Sequence, residues 1–346
     1  MKKYYSLELL RFLSSMSVLI YHYRHFYSPL NILSVDKFNT ANNSLPFSKF
    51  LGVIYEYGFY GVHIFYVISG FVFAHVYLKI RDETSFKEFS INRLSRLYPL
   101  HFATLIVVAL LQIAFLTNYE NFQFDYINNF FHFFLQIFFI SSWGFESGLS
   151  FNGPIWSVSI EIGIYLIFFI LINLIKKYEL KIIVLINILL IFVDKSGLSS
   201  LFLDCARLFF SGVLIYYLLI SKLNFIMLLA ISLILLFFSF VGNFKTFLFC
   251  PALILFFLSF ENFITKDKIK NNFITLGNWT YALYLLHVPL QLIIILILKK
   301  FFDYQDIYSN HLFFILYLIL LLIFSHLVFN FYEKPLNKFF RKLFLK

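Results

Sequence analysis

The stretch LELLRFLSSMSVLIYHYRHF (7–26) is long and apolar enough to read as a membrane helix, yet it carries Glu8, Arg11 and His22. Ionisable side chains are expensive at membrane depth, so each needs a reason. At 100° per residue, the eleven steps from Arg11 to His22 make about three turns plus 20°, which puts both on one stripe roughly 16 Å apart. Glu8 precedes Arg11 by one helical step of three and can pair with it on that face. Arg11 snorkelling inward, with His22 at the outer interface, is one reading. Two polar residues stacked on one face fit a protein-lined or water-filled path better.

The rest of the 346-residue chain agrees with a bilayer setting: 61% is hydrophobic, 22% aromatic and only 13% charged. A soluble domain carries about a quarter charged residues, so the composition selects an all-α polytopic membrane protein. The formal charge of +10 does not point to nucleic acid, because Lys and Arg cluster in short loops beside apolar segments. Cys205 and Cys250 lie inside apolar segments without metal-like spacing and read as small core residues; no metal site is expected. The apolar run after Lys2 and Lys3 is too long for a signal h-region and lacks a small-residue cleavage site, so it is expected to stay as the first span.

Ten stretches have the length or apolarity to span: approximately 6–26, 58–78, 97–117, 155–175, 180–193, 201–220, 223–241, 244–260, 276–298 and 311–331. An eleventh, INNFFHFFLQIFFISSW (127–143), is decided by loop charge. If it does not cross, Lys79, Arg81, Lys87, Arg93 and Arg96, then Lys176, Lys177 and Lys181, then Lys222, then Lys266, Lys268 and Lys270, and the tail with Lys346 all face the cytoplasm. The 118–154 loop, with Glu120, Asp125 and Glu146 and no Lys or Arg, then lies outside. Segment 127–143 is therefore expected to be re-entrant or interfacial, both termini cytoplasmic, residues 34 and 121 outside and residues 88 and 268 inside. One domain over 1–346 is expected, with no internal repeat and no second soluble domain.

Further segments offer chemistry at matching depth. In GPIWSVSIEIGIY (153–165), Ser157 and Glu161 are four apart and share a helix face, and Glu161 is expected about one and a half turns inside the outer boundary. A histidine at that depth and a carboxylate can act as a base and its orienting partner. Glu161 can equally be a structural hydrogen-bond partner of a Ser or Tyr. His287 falls mid-span in NWTYALYLLHVPL (278–290), with Tyr281 and Tyr284 at three-residue steps on its face. A core histidine before a proline kink and a catalytic one both remain open there.

Taken in order, these pieces make the chain resemble acyltransferase family 3, membrane acyltransferases many of which O-acetylate bacterial surface polysaccharides. The resemblance runs through LRFLSSMSVLIYH (10–22), GFYGVHIFYVISGFVFAHVY (58–77), RLSRLYPLHF (93–102), WSVSIEIGIYL (156–166), YALYLLHVP (281–289) and YEKPL (332–336). It implies an acyl-CoA donor, most often acetyl-CoA, no permanently bound cofactor, a sugar hydroxyl as acceptor, and a multi-pass protein of the bacterial inner membrane; a homo-oligomer is compatible with it. Some members carry an added hydrolase-like domain, for which this chain is expected to have no room. His22 then reads as general base, Glu161 as the group that holds its imidazolium, and Arg11 as a third member of the catalytic set. Arg93 and Arg96 suit coenzyme phosphates, although ordinary positive-inside charge accounts for either singly. Glu8, His63, Ser69, Ser157, Tyr284 and His287 complete the substrate or support set. His63 departs from the family, which usually has Asp after Gly-Val. A transporter or flippase, and an acyltransferase with a lipid or small-molecule acceptor, are the competing readings; the first would show broken helices in paired repeats.

Overall fold

A computed structural model describes residues 2–27, 45–79, 85–124, 126–198, 200–220, 223–241, 245–301 and 306–345. Residue 34 and the charges Arg81, Asp125, Lys222 and Lys346 lie outside the described residues. Every secondary-structure element among the described residues is helical, with no strand among them. The helices are α1 (Tyr5–His22), α2 (Ser48–Tyr57), α3 (Tyr60–Tyr77), α4 (Phe86–Tyr119), α5 (Phe130–Ile137), α6 (Ile155–Lys195), α7 (Leu201–Ile220), α8 (Phe225–Val241), α9 (Lys245–Ser259), α10 (Asp267–Phe301), α11 (His311–Val328) and α12 (Lys334–Phe344). All-helical structure is what a bilayer demands, since hydrocarbon offers backbone N–H and C=O groups no partner.

Six helices among the described residues are long and apolar enough to cross a membrane: α3, α4, α6, α7, α10 and the run His311–Phe344. Helices α8 and α9 are apolar but shorter. The apolar run of α1 is interrupted by Glu8 and Arg11 and by Ser6, Ser14, Ser15 and Ser17, and ends at His22. The expected fourth and fifth spans join as one 41-residue element, broken only at Glu179, whose backbone is left-handed (φ 47°, ψ −128°). Helix α4 begins well before residue 97, because the basic run FKEFSINRLSRLY is itself helical. Its charges shorten an apolar window without shortening the helix. Helix α5 has eight residues, about 12 Å, and is too short to cross a core of about 30 Å.

Cα packing divides the chain into two units. The first holds the described residues of 1–14, 60–86 and 160–278; the second holds those of 15–59, 87–159 and 279–346. Helices α1, α6 and α10 each supply residues to both. In the first unit, α3 and α7 pack through two glycines. A Cβ on Gly70 would collide with the Phe209 carbonyl, and one on Gly212 with the Val67 carbonyl. Close backbone approach at small residues is how helices associate where no hydrophobic effect separates protein from solvent. The start of α1 is held by Glu261, whose carboxylate accepts from Tyr5 N and Ser6 N, both at 2.9 Å, and from Ser6 Oγ at 2.6 Å.

In the second unit, α5 starts at Asn129, whose side chain accepts from His132 N. The chain that follows is pinned to α4 and α10. His101 Nε2 donates to the Gln136 carbonyl (2.8 Å), and Asn152 Nδ2 donates to Thr104 Oγ1 (3.1 Å) and the Leu285 carbonyl (3.2 Å). Tyr281 donates to the Leu97 carbonyl at 2.6 Å and Tyr23 to the Tyr308 carbonyl at 2.8 Å. These bonds carry the polar ends of otherwise apolar helices.

Gly70→Leu and Gly212→Leu are each expected to destabilise the protein by ~1–3 kcal/mol, the usual cost of overpacking, read as a lower melting temperature in detergent. Gly52→Ala is the control, because a Cβ there meets nothing within 4 Å.

Candidate functional site

The C-terminal end of α1 carries a cluster of imidazoles. His22 Nδ1 lies 2.9 Å from His287 Nε2, with the rings nearly parallel at 10° and 4.9 Å between centroids. His25, one 3₁₀ turn beyond α1, has its ring 4.9 Å from that of His22 at 20° and sits 5.1 Å from the Phe124 ring. Gln291 Nε2 donates to the His22 carbonyl at 2.9 Å, fixing the end of the helix. His287 and Gln291 are fully buried, whereas His22 and His25 keep partial exposure.

Hydrogen-bond polarity orders this pair. His287 Nδ1 is 2.7 Å from the Tyr284 carbonyl, which only accepts, so Nδ1 carries the proton. With neutral rings, His287 Nε2 is then a lone pair, and His22 Nδ1 must donate to it. The remaining nitrogen, His22 Nε2, is left with its lone pair. A second imidazole thus sets the tautomer, the task a carboxylate performs in a Ser-His-Asp triad. Beside it, Ser157 Oγ and Tyr284 OH lie 2.8 Å apart and 3.1 and 3.0 Å from the Pro154 carbonyl; with one proton each, one hydroxyl donates to the carbonyl and the other to its neighbour. Ser157 and Tyr284 therefore brace the start of α6 against α10.

Glu161 belongs to the other unit. There its Oε1 accepts from Ser69 Oγ on α3 and from Tyr165 OH one turn along α6. The Tyr165 ring is buried and stacks on Phe73 at 4.0 Å. Arg11 Nη1 lies 3.0 Å from Glu8 Oε2, both side chains partly exposed. Arg93 and Arg96 sit one helical step apart in the first third of α4, both half-buried, near Ser95, which donates to Asn337 Oδ1 at 3.3 Å. His63 occupies the first turn of α3, its ring 5.5 Å from that of Tyr60. Among the described residues, no group of three or more His, Cys, Asp or Glu is arranged to hold a metal ion.

Sequence reasoning did not single out His25, Gln291 or Tyr165. Their spacings carried a signal: His25 is three residues past His22, Gln291 four past His287 and Tyr165 four past Glu161. That α10 delivers His287 to the end of α1 had no local signal.

Comparison with known proteins adds a family. The profile of an acyltransferase domain, acyltransferase family 3, matches residues 4–329. A peptidoglycan O-acetyltransferase, OatA of Listeria monocytogenes, is 31% identical over 120 residues. That match covers 32% of this chain and 19% of the relative, so this chain matches well under half of the relative's length. No solved structure matches.

Diethyl pyrocarbonate acylates the free lone pair of an accessible imidazole. Peptide mass spectrometry is expected to find His22 ethoxycarbonylated and His287 spared; preferential labelling of His287 would contradict the ordering of the pair.

Proposed function

This chain belongs to acyltransferase family 3 and is a multi-pass membrane acyltransferase, and from that membership we propose that it moves an acetyl group from acetyl-CoA to a hydroxyl of a bacterial cell-surface glycan or its lipid-linked precursor. The Listeria relative is a peptidoglycan O-acetyltransferase, which supports the acyl and acceptor classes. The observation that carries the chemistry is the His22–His287 bond. In this scheme, the acceptor hydroxyl gives its proton to His22 Nε2. The imidazolium that forms donates through Nδ1 to the neutral His287 ring, which keeps it oriented throughout the step. Gln291, bonded to the His22 carbonyl, holds the helix end that carries the base. Arg93 and Arg96 bind the coenzyme phosphates at the cytoplasmic end of α4.

We place both termini in the cytoplasm and count about ten spans, with α1, α8, α9 and the two halves of α6 added to the longer helices, in the bacterial inner membrane. The contacts within each unit are consistent with this alternation. Tyr5 and Ser6 meet Glu261 at ends assigned inside, and Lys299 Nζ meets Gln123 Oε1 (2.8 Å) at ends assigned outside. The bilayer, the acyl-CoA and the carbohydrate acceptor are then its partners, and the chain acts as one catalytic domain.

Purified protein is expected to consume labelled acetyl-CoA in the presence of a glycan acceptor; no thioester turnover with any acceptor would end the enzymatic scheme. His22→Gln is expected to fold normally and lose ~10²–10⁴-fold in transfer rate, the usual contribution of a positioned base. His287→Gln, which still offers an acceptor, is expected to lose less than His287→Leu. Removing either Arg93 or Arg96 is expected to weaken acetyl-CoA binding by ~1.5–3 kcal/mol, measured by calorimetry. Cysteine labelling is expected to place residue 121 outside and residue 268 inside; a C-terminal tail found outside would overturn the span count.

A further inference from the structure

Glu161 is a carboxylate inside an apolar helix, and its recorded partners are two hydroxyls. Hydroxyls satisfy a carboxylate's lone pairs without neutralising it, so the arrangement keeps a proton acceptor in hydrogen-bond reach of Ser69 and Tyr165. The two hydroxyls are not equivalent. Tyr165 is buried and stacked on Phe73, whereas Ser69 and Glu161 keep partial exposure among buried neighbours such as Ile68, Gly70, Ile160 and Ile164. Ser69 also stands near the middle of α3, nine residues from Tyr60 and eight from Tyr77, hence about 12–14 Å from either end at 1.5 Å per residue. It is a nucleophile-capable hydroxyl beside a base, midway along a helix long and apolar enough to cross a membrane.

We propose that Ser69 is a transient acyl carrier, with Glu161 as its base, so that the acetyl group crosses the membrane domain as a serine ester in two shorter transfers. This rests on the acetyl-CoA-dependent function set out above. In the first transfer, Ser69 Oγ attacks the thioester carbonyl and its proton passes to Glu161. The C–S bond breaks, and the coenzyme leaves as a thiolate that takes a proton from cytoplasmic water. In the second, the acceptor hydroxyl attacks the Ser69 ester carbonyl and gives up its proton to water. The ester C–O bond breaks, and Ser69 Oγ leaves with the proton held by Glu161, restoring both groups. Tyr165 donates to the same carboxylate oxygen as Ser69 and is a positioning residue.

The test is an acid-quenched incubation of the full-length protein with labelled acetyl-CoA and no acceptor, followed by peptide mass spectrometry. An acetyl ester on Ser69 is expected in the wild type and in Tyr165→Phe, absent in Ser69→Ala, and formed ~10²–10⁴-fold more slowly in Glu161→Gln, as for loss of a positioned base. Ser69→Cys is expected to hold the group as a hydroxylamine-labile thioester, which keeps the test open if Ser69→Ala folds poorly. A well-folded Ser69→Ala protein that acetylates acceptor at the wild-type rate would overturn the carrier role while leaving the enzymatic function standing, as would an adduct on Tyr165 in place of Ser69. If the wild type consumes no acetyl-CoA with any acceptor, the underlying function fails first and the carrier with it.

Discussion

Hydrocarbon supplies no hydrogen bonds, and the arrangement of this chain follows from that lack. Several polar groups in its apolar helices are held by partners brought from elsewhere in the same unit, while others bond to a carbonyl of their own helix. Glu261 takes the first amides of α1, Asn152 reaches α4 and α10, and His287 meets His22. Helix order is thereby fixed by a few polar bonds of long sequence range, while apolar surface of similar character covers the rest. Replacing one member of such a bond would leave a buried group unsatisfied, which costs more than the bond itself contributes.

The two polar centres differ in what they can do with a proton. His22 and His287 are joined by one hydrogen bond whose direction is dictated by a backbone carbonyl, so a proton added to the pair lands on the His22 ring. Glu161, by contrast, gathers two donors on a single oxygen. The first arrangement accepts a proton from outside the pair, whereas the second exchanges one with its own hydroxyls. The two centres sit in separate units of the chain.

Much of this was legible in the residues. Apolar run length marked nearly every helix, and the Glu8–Arg11 spacing anticipated a pair that the structure holds at 3.0 Å. Family motifs picked out His22, Glu161 and His287 before any geometry was known. Partners separated by long stretches of chain were not legible: nothing local tells His22 that its neighbour is 265 residues away, or Glu161 that Ser69 is 92 away. Helix ends were misjudged where charge and helix propensity conflict. Arg93 and Arg96 look like loop residues on a hydropathy scale, yet straight-chain basic residues are good helix formers, and α4 runs through them. Glu179 misled in the opposite direction, since a single left-handed residue replaced the loop that the pattern implied.

The clamp between Glu261 and the first turn of α1 carries a consequence for biogenesis. Ser6 and Glu261 are 255 residues apart, so at ~5–20 residues per second a ribosome needs about 13–50 s between making one and the other. Throughout that interval the leading helix, with its ionisable residues, sits in the insertion machinery or the lipid without the carboxylate that later closes its start. A membrane-resident chaperone that shields polar helices would find its natural client in that half-made chain. Slowing elongation before residue 261 would lengthen the exposure, whereas truncation before it would strand α1 permanently unclamped.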